Sequence, residues 1–191
     1  MKDETLMHGF SYYEFISGLQ QLWQQAGHLA KIFRKDSADN LLEENLPCIV
    51  YHLIDRVPFQ GKGVRPERRP QRRGYINHPD NPDKFVEVFG QMFSMTVEFT
   101  VCSLNANEAD DLVGEFEDFM YLYNMHFQNQ RIIQLNFLKQ LEDKIDTRNS
   151  KRVHMRPLQF VITYERRSHR ILNPIQNLGV KAQISHDEKE E

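Results

Sequence analysis

Apolar and polar residues alternate most cleanly between Phe93 and Val101, where Phe93, Met95, Val97, Phe99 and Val101 are separated by Ser94, Thr96, Glu98 and Thr100. A period of two predicts a β-strand with one buried face and one wetter face. The period then lengthens. Leu112, Phe116, Phe119, Tyr123 and Phe127 follow at three- and four-residue intervals, the stripe of an amphipathic helix. Between the two patterns Asn105 is placed as an N-cap, with Glu108 as its capping-box partner. Glu108, Asp110, Asp111 and Glu115 then load the first turns of the helix with carboxylates, which suits the positive end of its dipole.

The rest of the chain is read against this pair. Ser11 and Glu14 fit a capping box flanked by Phe10 and Phe15, and Phe15, Leu19, Leu22, Ala26, Leu29 and Phe33 continue at helical spacing. This predicts a helix from 12 to about 34, with Gly18 and Gly27 each costing about 1 kcal/mol. Its outer face is rich in glutamine (Gln20, Gln21, Gln24, Gln25), which suits either solvent or another subunit. The run from Pro47 to Val57 is apolar on both faces and predicts a central strand. Residues 58–83 hold five of the eight prolines and three glycines, so they predict neither a buried strand nor a helix. Alternation returns over 131–140, read as a strand although Leu135, Leu138 and Leu141 also fit a helix, and again from Leu158 to Tyr164 as a further strand, with Asp143–Arg152 between them as a turn or short hairpin loop.

The expected fold is α+β: a mostly antiparallel four-stranded sheet with two helices on one face, and a long basic loop (58–84) between the first two strands. Residues 10–170 are expected to form a single domain. A flexible arm (1–9) precedes it, and an extended or disordered C-terminal extension (171–191) follows, with one weak strand at Val180–Ile184.

Composition adds little until its distribution is considered. A chain of 191 residues with 40% apolar content, thirteen Phe and seven Tyr has ample material for one core. The net charge of −3 names no partner. Between Arg56 and Arg73, however, seven basic residues are opposed only by Glu67. Arg65, Arg68, Arg69, Arg72 and Arg73 are the densest part, and guanidinium groups there suit either an acidic protein surface or the phosphates of DNA in a channel. Glu108, Asp111 and Glu115 share one helix face and form the matching candidate for an inter-subunit contact. Cys48 and Cys102 have no metal-ligand spacing and are expected to be small buried hydrophobes. No signal peptide and no membrane helix are expected.

Catalytic signatures are missing from the sequence. There is no His-Glu-x-x-His, no Walker or dinucleotide-binding glycine loop, and no Gly-x-Ser-x-Gly. The expectation is a protein without catalytic residues, metal or cofactor, so function is sought in contacts.

The succession of a strand (FSMTVEFTVCS), a short polar turn (NANEADDL), an aromatic helix (VGEFEDFMYLY) and a late Arg-bracketed strand (RPLQFVITYERR) resembles the tail terminator and neck proteins of tailed bacteriophages, over about residues 10–166. The resemblance implies a structural virion protein assembled in the host cytoplasm. Its subunits would form a ring, usually of six, that caps the tail tube and offers a docking surface to the head connector. Genomic DNA would pass through the lumen, and a sheath protein is a further partner. A connector or stopper of the same neck is the neighbouring role. From a different class, the Arg-rich loop alone suggests a nucleic-acid-binding protein.

Overall fold

A computed structural model describes residues 9–35, 43–61, 66, 68–78, 80–129, 132–148 and 151–172. In order these form α1 (Tyr12–Gln25), β1 (Lys31–Arg34), a 3-10 turn (Glu43–Asn45), β2 (Cys48–Pro58), β3 (Gln71–His78), β4 (Asn81–Ser103), α2 (Ala106–Leu122), α3 (Asn124–Asn129), β5 (Ile132–Gln140), β6 (Lys144–Arg148) and β7 (Lys151–Leu172). The fold is α+β, but among the described residues the sheet has seven strands and is mixed, and there are three helices. The expected four-stranded antiparallel sheet with two helices is therefore corrected.

Each additional strand has a local cause. The helix expected to reach about residue 34 stops at Gln25, because Gly27 takes a left-handed φ of 90° and its N–H bonds back to Gln24 O. Residues released by that stop form β1, which runs parallel to β2 and makes the sheet mixed. The long loop expected over 58–84 contains β3. Pro70 and Pro79 lie just outside Gln71–His78, so every residue of β3 keeps the N–H that a ladder needs. The turn expected over 143–152 contains β6, which pairs with the first residues of β7.

Two strands of 23 and 22 residues, β4 and β7, dominate the sheet. They pair antiparallel without a register shift from Phe85↔Leu172 to Ser103↔His154. Along the other edge of β4, β2 covers Phe93–Cys102 and β3 covers Asn81–Gly90. Along the other edge of β7, β5 pairs with Leu158–Tyr164 and β6 with Lys151–Met155.

Alternation then sorts the two faces. Met95, Val97, Phe99 and Val101 of β4 and Leu158, Phe160, Ile162 and Tyr164 of β7 point to one side, where they form a single core with Phe15, Leu19 and Trp23 of α1 and Leu112, Phe116 and Phe119 of α2. The buried stripe of α1 runs through Trp23; Leu29, expected to continue it, is 95% exposed beyond the helix stop. Trp23 donates from Nε1 to Ala30 O at 2.6 Å, so its one polar atom is satisfied in the core. The opposite face is polar: Glu98, Thr100, Gln159 and Thr163 are buried there, with Cys48, Val50, Cys102 and Val153 as a small apolar cluster. Cys48 and Cys102 lie opposite each other on β2 and β4 and are not joined by a disulfide.

Beyond Gly90 the sheet narrows to a ribbon of β3, the first part of β4 and the last part of β7. Gly9 and Phe10 lie along β7, with the Phe10 N–H donating to Glu165 O at 3.5 Å. Most of the arm expected over 1–9, the extension expected over 171–191 past Leu172, and the strand expected at Val180–Ile184 lie outside the described residues.

Phe116 is fully buried, with its ring 5.6 Å from that of Trp23, 5.0 Å from Phe99 and 6.0 Å from Phe160. Replacing it with Ala leaves a cavity where α1, α2 and the sheet meet. The expected loss is about 3–5 kcal/mol, read as a lower urea midpoint at unchanged m-value.

Candidate functional site

The sequence pointed to two charged surfaces, and the fold places the acidic one past the last residue of β4 and the basic one beside its first half. The acidic one forms at the start of α2. Asn105 is the N-cap and accepts from Asn107 N–H at 2.9 Å. Its own N–H donates to Ser103 Oγ at 3.0 Å rather than to Glu108, and Glu108 instead accepts from the Ser103 hydroxyl. The expected capping box is thus rebuilt around a serine of the preceding strand. Asp110 is exposed and pairs with the buried Arg156, whose Nε lies 2.6 Å from it and 3.3 Å from Asp143. That contact fixes the first turn of α2 to β7.

The three carboxylates singled out beforehand, Glu108, Asp111 and Glu115, are brought together. They line an open groove of about 770 Å³ with Gly27, His28, Leu29 and Pro47. Glu115 is held by His28 Nδ1 at 3.2 Å, and His28 stacks on Trp23 with ring centroids 3.7 Å apart. Asp111 makes no ion pair among the described residues. The groove therefore offers an exposed leucine, a free carboxylate and two partly engaged ones.

The basic surface behaves differently from a loop. Arg68 and Arg69 are exposed just ahead of β3, and Arg72 and Arg73 lie within it. Arg65 is outside the described residues. A bulge separates the last two: Arg72 pairs with Phe89 and the next registered pair is Gly74↔Val88, so neighbouring arginines leave on opposite faces. Arg72 stays exposed on the side that carries the helices lower in the sheet, donating to Tyr75 Oη at 2.7 Å and lying 3.8 Å from Glu87. Arg73 leaves on the opposite face, with its side chain 33% exposed. Its Nε donates to Glu165 Oε1 at 2.7 Å, while Arg167 Nε donates to Glu165 Oε2 at 2.8 Å.

Gly90 makes that triad fit. A Cβ at this position would overlap the Glu165 carboxylate and sit 2.8 Å from Arg73 Nε. Burial works to raise the pKa of Glu165, but hydrogen bonds from Arg167 and Arg73, with their charges, outweigh it and hold the carboxyl below its ordinary value.

Sequence reasoning missed Glu165, Arg167 and Gly90, and missed that Arg166 and Arg170 share the ribbon with Arg72. The one signal was the basic run from Arg166 to Arg170 after the last alternating strand. Arg56, counted with the basic loop, lies in β2 with its guanidinium 4.5 Å from the Phe93 ring centroid. Among the described residues, no group of three His, Cys, Asp or Glu is placed to hold a metal ion, and no helix is long and apolar enough to cross a membrane.

The two surfaces are far apart. Arg72 pairs with Phe89, and α2 begins just past Ser103, fourteen residues further along β4. At about 3.3 Å per residue this is about 45 Å of strand. Compared with known proteins, the chain matches no family model and no curated protein.

A depressed carboxyl takes up protons less readily folded than unfolded. Its stabilisation is complete above the unfolded Glu value of about 4.3 and is lost as pH falls through the lower folded value. Thermal melts of wild type and Glu165→Gln are expected to differ most near neutral pH and to converge in acid. Gly90→Ala, which displaces the same carboxylate, is expected to behave like Glu165→Gln.

Proposed function

We propose that this chain is a structural, non-enzymatic subunit that assembles head-to-tail into a closed ring, of the tail terminator type found in the necks of tailed bacteriophages. The observation that carries the reading is the separation of opposite charges along β4. The basic end at Arg68, Arg69 and Arg72 cannot reach the groove of Glu108, Asp111 and Glu115 in its own chain. It is free to reach the groove of another copy. Such a contact joins two different patches, so it is heterologous and repeats until it closes.

Two further features support the proposal. Leu29 stands exposed in the groove as an apolar anchor, surrounded by carboxylates that set orientation. β1, β3 and β5 present outer strand edges to which a neighbour can add. On this reading the ring holds about six copies, as such rings usually do. It caps the tail tube, meets a sheath protein where one is present, offers its other side to the head connector, and lets genomic DNA pass through its lumen. It would be assembled in the host cytoplasm and carried in the virion neck.

Mass photometry and negative-stain microscopy of the purified chain, alone and with tail tubes, are expected to show rings. A strict monomer at all accessible concentrations that never joins tails overturns the proposal. Arg69→Glu and Asp111→Arg singly are each expected to weaken assembly by at least about tenfold, and the double variant is expected to recover most of it.

A further inference from the structure

The ribbon of β3, β4 and β7 has a second property, which shares only Arg72 with the proposed ring contact. Cross-strand partners share a face, so the register assigns each side chain. Arg72↔Phe89 and Tyr75↔Glu87 join β3 to β4, and Glu87↔Arg170 and Gln91↔Arg166 join β4 to β7. Phe85 falls on the same side by alternation. This is the side that the helices cover lower down, but here Arg72, Arg166 and Arg170 are exposed, and Tyr75 and Phe85 are 52% and 49% exposed. Three segments of chain thus place three arginines and two open aromatic rings on one face, with Glu87 as the opposing carboxylate.

Internal pairing accounts for little of this charge. Arg166 and Arg170 make no ion pair among the described residues. Arg72 reaches Glu87 only at 3.8 Å, and its guanidinium lies 5.3 Å from the Tyr75 ring centroid. The other face of the ribbon contrasts with it: Arg73 and Arg167 are both paired with Glu165 there, leaving one net positive charge, and Val86 and Val88 are buried. Arg166 and Arg170 are about 13 Å apart along β7, a reach that spans several groups of a linear polyanion.

We propose that this face binds single-stranded nucleic acid, with Arg72, Arg166 and Arg170 on phosphates and Tyr75 and Phe85 as stacking platforms for bases. Arginine alone would suit any acidic surface. Flat rings interleaved with arginines add stacking platforms for unpaired bases beside the phosphate contacts. The face belongs to each subunit and needs no ring, so it stands or falls separately from the proposed assembly.

The test is fluorescence anisotropy of the full chain with a labelled oligo-dT of about 20 nucleotides, from about 50 to 200 mM salt. Binding is expected to weaken steeply with salt, and Arg166→Ser with Arg170→Ser is expected to flatten the slope by about 0.7 per lost phosphate contact. Tyr75→Ser with Phe85→Ser is expected to weaken affinity at least about fivefold at unchanged slope. Glu108→Gln with Asp111→Asn is expected to leave oligonucleotide affinity unchanged, which separates this face from the groove. Arg166→Lys with Arg170→Lys, which preserves charge and fold, is expected to keep most of the salt slope. No binding at low salt, binding of duplex only, equal competition by polyglutamate, or wild-type affinity in the folded Arg166→Ser/Arg170→Ser variant would each overturn the proposal.

Discussion

The pairing of β4 with β7 is the constraint on which the rest depends. Nineteen consecutive residues of β4, from Phe85 to Ser103, are matched antiparallel to β7 with no bulge. Because side chains alternate, a slip of one residue would put Thr100 and Gln159 where Phe99 and Phe160 now meet the helices, and would expose the core along the whole length. Two strands this long leave two long edges. The chain covers them in pieces, β2 then β3 on one side and β6 then β5 on the other. β2, β3, β5 and β6 are thus placed by the ladder they border, and β1 by β2.

The ladder also divides the molecule lengthwise. Its lower half receives α1 and α2 and is a conventional apolar core, with rings of Trp23, Phe99, Phe116 and Phe160 meeting at tilted or near-perpendicular angles. Its upper half carries charge. The junction falls near Gly90 and Glu165, where the absence of one side chain lets a carboxylate lie across the sheet between two arginines. A carboxylate shared by two guanidinium groups is well satisfied, and it removes two arginines from the set available to a partner. Which arginines face outward is thus decided by the bulge at Arg73 as much as by the number of arginines present.

The candidate surfaces were legible in part. The trio Glu108, Asp111 and Glu115 was visible because helical spacing alone puts those residues on one face, and the groove they line adds His28, Leu29 and Pro47 from elements far away in the chain. The basic cluster was visible as composition, but its members were not equivalent. Arg73 is consumed by Glu165, 92 residues later in sequence, and Arg72 gains Arg166 and Arg170 as neighbours. No local pattern encodes those meetings.

Taken alone, the sequence determined whatever is written within a few residues: the strand from Phe93 to Val101, the caps at Ser11 and Asn105, the buried stripe of α2, and the alternation from Leu158 to Tyr164. Each follows from a period or a hydrogen bond that closes inside one turn or one strand. Only the tertiary structure decided that β4 continues back to Asn81 and β7 on to Leu172, that β1, β3 and β6 are strands, and that the sheet is mixed. Those segments mix polar, charged and glycine residues with short apolar runs such as Ile32–Phe33 and Phe85–Val86, and carry no clean period of two. They are strands because a neighbouring strand supplies the hydrogen-bond partners that water would otherwise provide.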